Sequence, residues 1–428
     1  MKKCLIALLL SALLLFTACA TGGKIDAQAI FAVPSYDWGH ITGETLNIWC
    51  KKGEMERSYM KTAIARYEKL TGNHINIVEI NVEEFDEKVS SALNTPSSDL
   101  DILLSYGGTN LDAFNPDENF CDFKNEVWIN DIMLNGLNQA IYNGRIVGLP
   151  HWEASFSGTL YNKKIFKKYK IPIPTTQKEF LNACEILLKN GVTPLYLPYK
   201  EITMLLYQFP LDAVLEKNDN LSRLNSGAID YKDIPQMRSI IEWYKTMSDR
   251  GYFGEDYIQN DWNGMDNALK SEKYAMMLCW DTWLYTDFTG NANKFGIMPA
   301  FMGFPENGVF EGANLSLLIA NKNGKRISTA RDFITFMADP YNYNVAFKDC
   351  YTAPVFRNQI ASVSTPQIAK QEQAVQRLYH PSTAWLRVKG FSQIDARYIQ
   401  KHITDSSYTL DNCIADMDRA RKERAKQS

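Results

Sequence analysis

Apolar and polar positions follow two periods that take turns along this chain. "TLNIWC" (residues 45–50) and "INIVEI" (75–80) carry strand-like character. Between them, "EMERSYMKTAIARYEKLTG" repeats its apolar positions every three to four residues and stops at Gly72, as an amphipathic helix does. "VEEFDEKVSSALNT" adds a second helix and "DLDILLSY" a third strand. The order strand, helix, strand, helix, strand predicts a parallel sheet covered by helices. After "GRIVGLPHWEASFSG" the alternation resumes with "TLYNKKIF" and with a helix opening at "PTTQKEF". There Thr176 is expected to cap the helix and Glu179, three residues on, to complete a capping box. "IPQMRSIIEWYKTMSDRG" is a further helix, with Trp243 at helical spacing from Ile240 and Met247 and so expected in the core. "WNGMDNALKSEKYAMMLCW" reads as a helix leading into a strand, followed by "KFGIMPAF". The second half therefore repeats the architecture of the first. In such sheets ligands gather at the carboxyl ends of the strands, which directs attention to the loops after Trp49 and Ser105.

The first nineteen residues follow a different rule. "MKK" is a positive start, "LIALLLSALLLF" a single apolar run, and "TAC" places two small residues before a cysteine. That order is expected of a secretory signal over 1–18, with Cys19 as a lipidation site of the bacterial lipobox kind and Phe16 where that motif usually has Leu. The apolar run is shorter than the roughly 20 residues needed to span a bilayer comfortably. Residues 19–44 lack periodicity and read as a lipid-anchored tether, putting the protein on the outer face of a cell membrane.

The remaining length suits two lobes with well-filled cores. A formal charge of −3, two units more negative without Lys2 and Lys3, argues against nucleic acid as a partner. The basic run "RARKERAKQS" follows Asp416 and Asp418 and reads as a solvated helix end. Six cysteines beyond Cys4 and Cys19 show no Cys-x-x-Cys spacing. Cys184 and Cys413 sit on apolar helical faces, so free buried thiols are expected.

Several stretches together resemble the extracellular solute-binding lipoproteins of bacterial carbohydrate ABC importers, the maltose-binding-protein-like branch. "IARYEKLTGNHINIVEI" looks like that family's first helix and second strand. "GLPHWEASFSGTLYNKKIFKKYKIPIPTTQKEFLNACEILLKNGVTPL" looks like its hinge crossing and second-lobe start. "LKSEKYAMMLCWDTW" resembles its strand ahead of a ligand-binding Trp, although the family's Gly two residues before that Trp is absent. Residues 319–324 with "TARDFITFMADP" resemble its return into the first lobe. The resemblance spans nearly the whole mature chain. It implies a two-lobed periplasmic-binding-protein-like α/β fold, each lobe a mainly parallel sheet flanked by helices. Residues 45–150 with 314–353 would form lobe I, and 151–313 with 354–428 lobe II. Crossings are expected near Pro150, Gly312 and Thr352 to Pro354, and closure of the lobes on a solute would be selection of one hinge state rather than chemistry. A monomer that delivers a small carbohydrate to permease subunits is implied, with no cofactor.

The residues make a physical case beside that resemblance. A sugar ring has an apolar face of C–H bonds and a rim of hydroxyls, so its site needs aromatic planes edged by carboxylates, amides or guanidinium groups. Aromatics are 12% of the chain, and several stand near such groups. The candidates are Trp49 with Glu54, Tyr106 with Asn110, Trp152 with Glu153, Trp280 and Trp283 around Asp281, Glu311, Trp385 with Arg387, and Arg397. Strand alternation would put Trp280 and Trp283 on opposite faces, with Trp283, farther past the apolar run, nearer the ligand. One alternative is a secreted glycoside hydrolase, with Glu153, Asp281 and Glu311 as possible carboxylates. Another is the same fold binding a polyamine or peptide. The five histidines are scattered, with no His-Glu-x-x-His, and no Gly-x-Ser-x-Gly or phosphate loop occurs, so no metal or nucleophile chemistry is expected.

Overall fold

The computed structural model describes residues 41–426 except 152–153, 208, 313, 349, 361–363 and 382–383. The signal segment, Cys19, Trp152 and Glu153 lie outside the described residues. In chain order the strands are β1 (Thr45–Lys51), β2 (His74–Ile80), β3 (Ile102–Tyr106), β4 (Ile141–Tyr142), β5 (Arg145–Ile146), β6 (Leu149–Pro150), β7 (Phe156–Asn162), β8 (Thr193–Tyr196), β9 (Tyr274–Trp280), β10 (Phe295–Met298), β11 (Phe310–Gly312), β12 (Ser316–Ala320) and β13 (Tyr379–His380). Apart from the two-stranded β4-β5 pair, one sheet has the order β2-β1-β3-β12-β6 and the other β13-β11-β7-β9-β8, with β10 also against β7. Each sheet is the centre of one lobe.

Local sequence explains the layers. Along β1, Leu46, Ile48 and Cys50 enter the core under the Ser58–Thr71 helix, while Trp49 packs toward the opposite layer, built by Phe85, Val89 and Leu93 of the Val82–Leu93 helix. The Ser58–Thr71 helix buries Tyr59, Met60, Ala63 and Tyr67. Tyr67 meets Phe333 and Phe336 edge-on at 4.8 and 5.1 Å. The helix ends because Gly72 takes φ 71° and donates its N–H to the Glu68 carbonyl. At the Gln177–Lys189 helix the Thr176 hydroxyl accepts from Glu179 N–H at 3.2 Å, as expected. The Glu179 carboxylate, however, reaches past the cap to the N–H and hydroxyl of Thr175 at 2.7 and 2.8 Å, so the capping box is split over two residues. Trp243 is 5% exposed in the second lobe's core. The six described cysteines are free thiols, and burial pushes Cys50 and Cys413 up to about 12.

The sheets are mixed rather than mainly parallel. β1 runs parallel to β2 and β3, and β8 to β9, but β12 is antiparallel to β3 and β6, and β7 to β9, β10 and β11. The reason is connectivity: β7 and β12 each enter a sheet directly from the other lobe, without a crossover helix to turn the chain first.

The chain changes sheet between β6 and β7, between β11 and β12, and again after the Pro340–Phe347 helix. The first passage is tied to the segment that leads toward the last one: Ala154 N–H donates to Thr352 Oγ1, and Ala353 N–H to the Ala154 carbonyl, both at 2.8 Å. The last passage is later than the expected boundary at 353/354. Val355 and Phe356 still belong to the first lobe's core, with Phe356 stacked on Tyr343 at 4.3 Å and 9°. Met133 N–H donates to the Val355 carbonyl at 2.9 Å, and Arg357 N–H to that of Asp131 at 2.7 Å. Burial of this apolar pair, with Phe356 against Tyr343, holds the segment in lobe I. Phe356→Ala should therefore cost about 3–5 kcal/mol of stability in denaturant titration. Hydrogen exchange should quicken in β1, β3 and β12; quickening confined to the second lobe would contradict the assignment.

Candidate functional site

Two groups of strand ends converge on the crossings. Tyr106, last in β3, is opposite Ser316, the first residue of β12 after one crossing. Trp280, last in β9, is opposite Ser157, next to the start of β7 after another. The floor between the lobes is thus edged by the residues that end β1 and β3 on one side and β9 on the other.

On the first lobe, the Lys51 ammonium stands 5.1 Å from the Phe85 ring centre and 5.9 Å from that of Tyr106. Glu54 follows in the turn after β1, its N–H donating to the Lys51 carbonyl at 3.2 Å. The residue as a whole is half-buried, yet its Oε2 is shut off from solvent with no hydrogen-bond partner among the described residues. Burial pushes this carboxyl up to about 7, with Lys51 pulling against it. An acceptor left in that condition is costly and would gain from a ligand hydroxyl. Asn110 is exposed, and its amide donates to the Gly107 carbonyl at 2.9 Å.

On the second lobe, β9 ends at Trp280 and the chain turns at once into a single helical turn, Trp283–Thr286. The alternation expected to separate residues 280 and 283 therefore does not apply. Trp283 is 3% exposed, edge-on to Trp262 at 6.4 Å and beside Phe288 at 5.6 Å. It packs into the second lobe's core, with its indole N–H buried and without a hydrogen-bond partner among the described residues, so we read it as a core plug. Trp280 and Trp262 are the half-exposed pair, 6.1 Å apart and inclined at 50°. Trp262 was missed by the sequence reading, which took "WNGMDNAL" as helix. The signal was available: in "DWNG" an aromatic stands between Asp261 and Asn263 ahead of a glycine.

Asp281 requires a second correction. It is 2% exposed, with Oδ1 accepting from Phe156 N–H at 2.7 Å and Oδ2 from the Thr365 hydroxyl at 2.6 Å. Its own N–H donates to the Phe156 carbonyl at 3.0 Å. Burial pushes its carboxyl up to about 6 against these hydrogen bonds. Both oxygens already serve the fold. Glu311 is 1% exposed within β11, opposite Ser157 on β7 and His380 on β13 in register. Arg397 lies exposed on the Ala396–Thr404 helix, its guanidinium 4.8 Å over the Tyr398 ring, away from any strand end. Trp385 is 4% exposed against Phe391, Arg387 is exposed beside it, and Trp49 packs into the helix-covered layer. Among the described residues, no cluster of three His, Cys, Asp or Glu side chains could hold a metal ion.

Two α/β lobes joined by several crossings, with aromatic rings and a strained carboxylate at the junction, define a hinged solute-binding protein. Residues 62–374 match the family described as bacterial extracellular solute-binding protein, and the chain belongs to it. It is similar to the melibiose/raffinose/stachyose-binding protein MelE of Bacillus subtilis (strain 168), 23% identical over 362 residues, which are 80% of this chain and 83% of that one. A putative binding protein from Bacillus subtilis, solved in an open conformation, superposes with TM-score 0.71 at 19% identity, over 90% of this chain and 98% of that one. A sugar transporter protein from Bacillus licheniformis, solved with stachyose, gives TM-score 0.70 at 17% identity over 90% and 100% of the two chains.

The two kinds of tryptophan should separate in stability measurements. Trp283→Ala should cost about 3–5 kcal/mol, as emptying a buried aromatic site does. Trp280→Ala and Trp262→Ala, removing rings still partly in water, should each cost under about 2 kcal/mol. Equal losses in chemical denaturation would mean that all three are plugs.

Proposed function

We propose that this protein captures a neutral sugar or short oligosaccharide between its lobes, outside the cytoplasmic membrane, and passes it to an ABC importer. The observation that carries this reading is the half-exposed Trp262–Trp280 pair at the crossings, together with the uncompensated Oε2 of Glu54. The rings offer planes for the apolar face of a sugar, and Glu54 offers an acceptor for its hydroxyls. Tyr106 supplies a further ring, and Trp152 and Glu153 remain candidates on the crossing. Raffinose- and stachyose-binding relatives support the same ligand class. A hydrolytic reading finds less support, because Asp281 has both oxygens engaged and Glu311 is buried. Lobe I would comprise residues 45–150 and 314–360, and lobe II 154–313 and 364–426. The protein acts as a monomer, held at the membrane by lipid on Cys19.

Calorimetry with melibiose, raffinose and stachyose tests the ligand class, and failure of every neutral sugar while a polyamine or peptide binds would refute it. The pH dependence tests Glu54. In the free protein its carboxyl titrates near 7, and a donating sugar hydroxyl favours the ionised form, lowering that pKa in the complex. Affinity should then be full above pH 7 and fall by up to about tenfold per pH unit below it, the limit for release of one proton. Glu54→Gln should flatten the profile; an unchanged slope would remove Glu54 from the site.

The anchor has its own test. Cys19→Ala should move the protein from the membrane fraction to soluble or unprocessed forms. Undiminished membrane attachment would instead implicate the apolar run at residues 5–16.

A further inference from the structure

The lobes also meet at two places apart from these groups. On one side Arg57, just before the Ser58–Thr71 helix of the first lobe, holds Asp287 of the second, with Nη1 2.8 Å from Oδ2 and side chains 24% and 31% exposed. The Thr286 hydroxyl donates to the same Oδ2 at 2.5 Å and fixes its direction. A pair at this depth is screened less than a surface pair. On the other side Gly108, in the turn after β3, lies against the Ala384–Leu386 turn of the second lobe. A Cβ built on Gly108 would run into the Leu386 carbonyl oxygen and stand 2.6 Å from the Leu386 Cβ. The neighbouring Thr109 hydroxyl donates to the Val388 carbonyl at 3.4 Å. Backbone approaches backbone here so closely that no side chain fits at position 108.

We propose that these two contacts form a clasp that sets the balance between open and closed lobes, and through it the affinity for solute, without touching the solute. The proposal rests on the reading that solute is taken between the lobes. When only the closed form holds a ligand, the apparent affinity is the intrinsic one multiplied by the fraction of molecules able to close. Contacts that join residues of opposite lobes raise that fraction whatever the ligand is. Arg57, Asp287 and Gly108 are thus positioning residues. Gly108 contributes by what it lacks, since any Cβ there would prop the lobes apart.

Backbone strain has to be separated from this effect, because Gly108 has φ +61°, where other residues are disfavoured. Gly72 is the control. It has φ +71° with nothing within 4 Å of a built Cβ, so a substitution there carries the strain alone.

The test measures lobe separation directly and needs no ligand to begin. Spin labels are attached through Lys88→Cys on the Val82–Leu93 helix and Lys178→Cys on the Gln177–Lys189 helix, both exposed positions, with Cys350→Ser to silence the half-buried native thiol. Pulsed electron resonance then gives the distribution of interlobe distances, first without sugar and then with saturating raffinose or stachyose. The parent should show a short-distance population. Gly108→Val should reduce its share about tenfold or more, Gly72→Val should leave it unchanged, and melting curves should report both variants folded. Gly108→Ala replaces the valine variant if that fails to fold. Arg57→Glu and Asp287→Arg should each lower the short-distance share several-fold, and together restore it. The proposal is overturned if Gly108 variants keep the parent distribution, if the reversed pair fails to restore it, or if the parent has no short-distance population in any condition. A parent that closes without responding to any sugar leaves the clasp standing and counts against the carbohydrate reading instead.

Discussion

The Asp281 carboxylate is the constraint around which the two-lobed arrangement is organised. One oxygen takes the N–H of Phe156, where the chain has just entered the second lobe, and the other takes the hydroxyl of Thr365, where it enters again. A buried carboxylate is costly unless both oxygens are paired, so the group itself drives the two segments together. Ala154, just before Phe156, is also held by Thr352 and Ala353 of the first lobe. With the segments around Phe156 and Thr365 pinned to one side chain, this seam suits a hinge. The cost is visible in the acid–base chemistry. Burial raises the folded-state carboxyl to about 6, above its ordinary value, so the stabilisation it offers is complete at acid pH and is lost as pH rises through about 6.

From this seam outward, the site is built by support from behind. Trp283 turns under Trp262 because β9 stops at Trp280 and a helical turn begins. The plug holds the Trp262 ring from one side while Trp280 meets it from another, so two rings are kept half in water at low entropic cost to a ligand. Glu54 is the complementary element on the first lobe: a carboxylate oxygen hidden from water without compensation, whose ionisation a donating ligand would favour. Lys51, held over the Phe85 and Tyr106 rings, tempers that cost without removing it.

Much of the architecture was legible in the chain. Alternating periods located the main strands and long helices, and the core position of Trp243 followed from its spacing, because helical and strand periods act over a few neighbours. Glu54 and Tyr106 were singled out for the same reason, since strand ends are where such folds expose side chains. The misreadings share a cause too. Trp283 was assigned by carrying a strand that ends at Trp280 three residues too far, and Trp262 was absorbed into a helix that begins only at Met265. Asp281 was read as a ligand contact because its partners, Phe156 and Thr365, lie 125 and 84 residues away.

What the sequence by itself determined, then, was the class: lobes of alternating elements, their order, and the residue types available at their strand ends. These depend on local periodicity and on residue chemistry, both of which are present in any short window of the chain. The tertiary structure decided direction and use. It made the sheets mixed because β7 and β12 arrive straight from a crossing, kept Val355 and Phe356 in the first lobe, where Phe356 stacks on Tyr343, and turned Asp281 from a surface acceptor into a hinge pin. Each of these outcomes is settled by competition between distant segments for the same burial or hydrogen bond, and no local pattern encodes which segment wins.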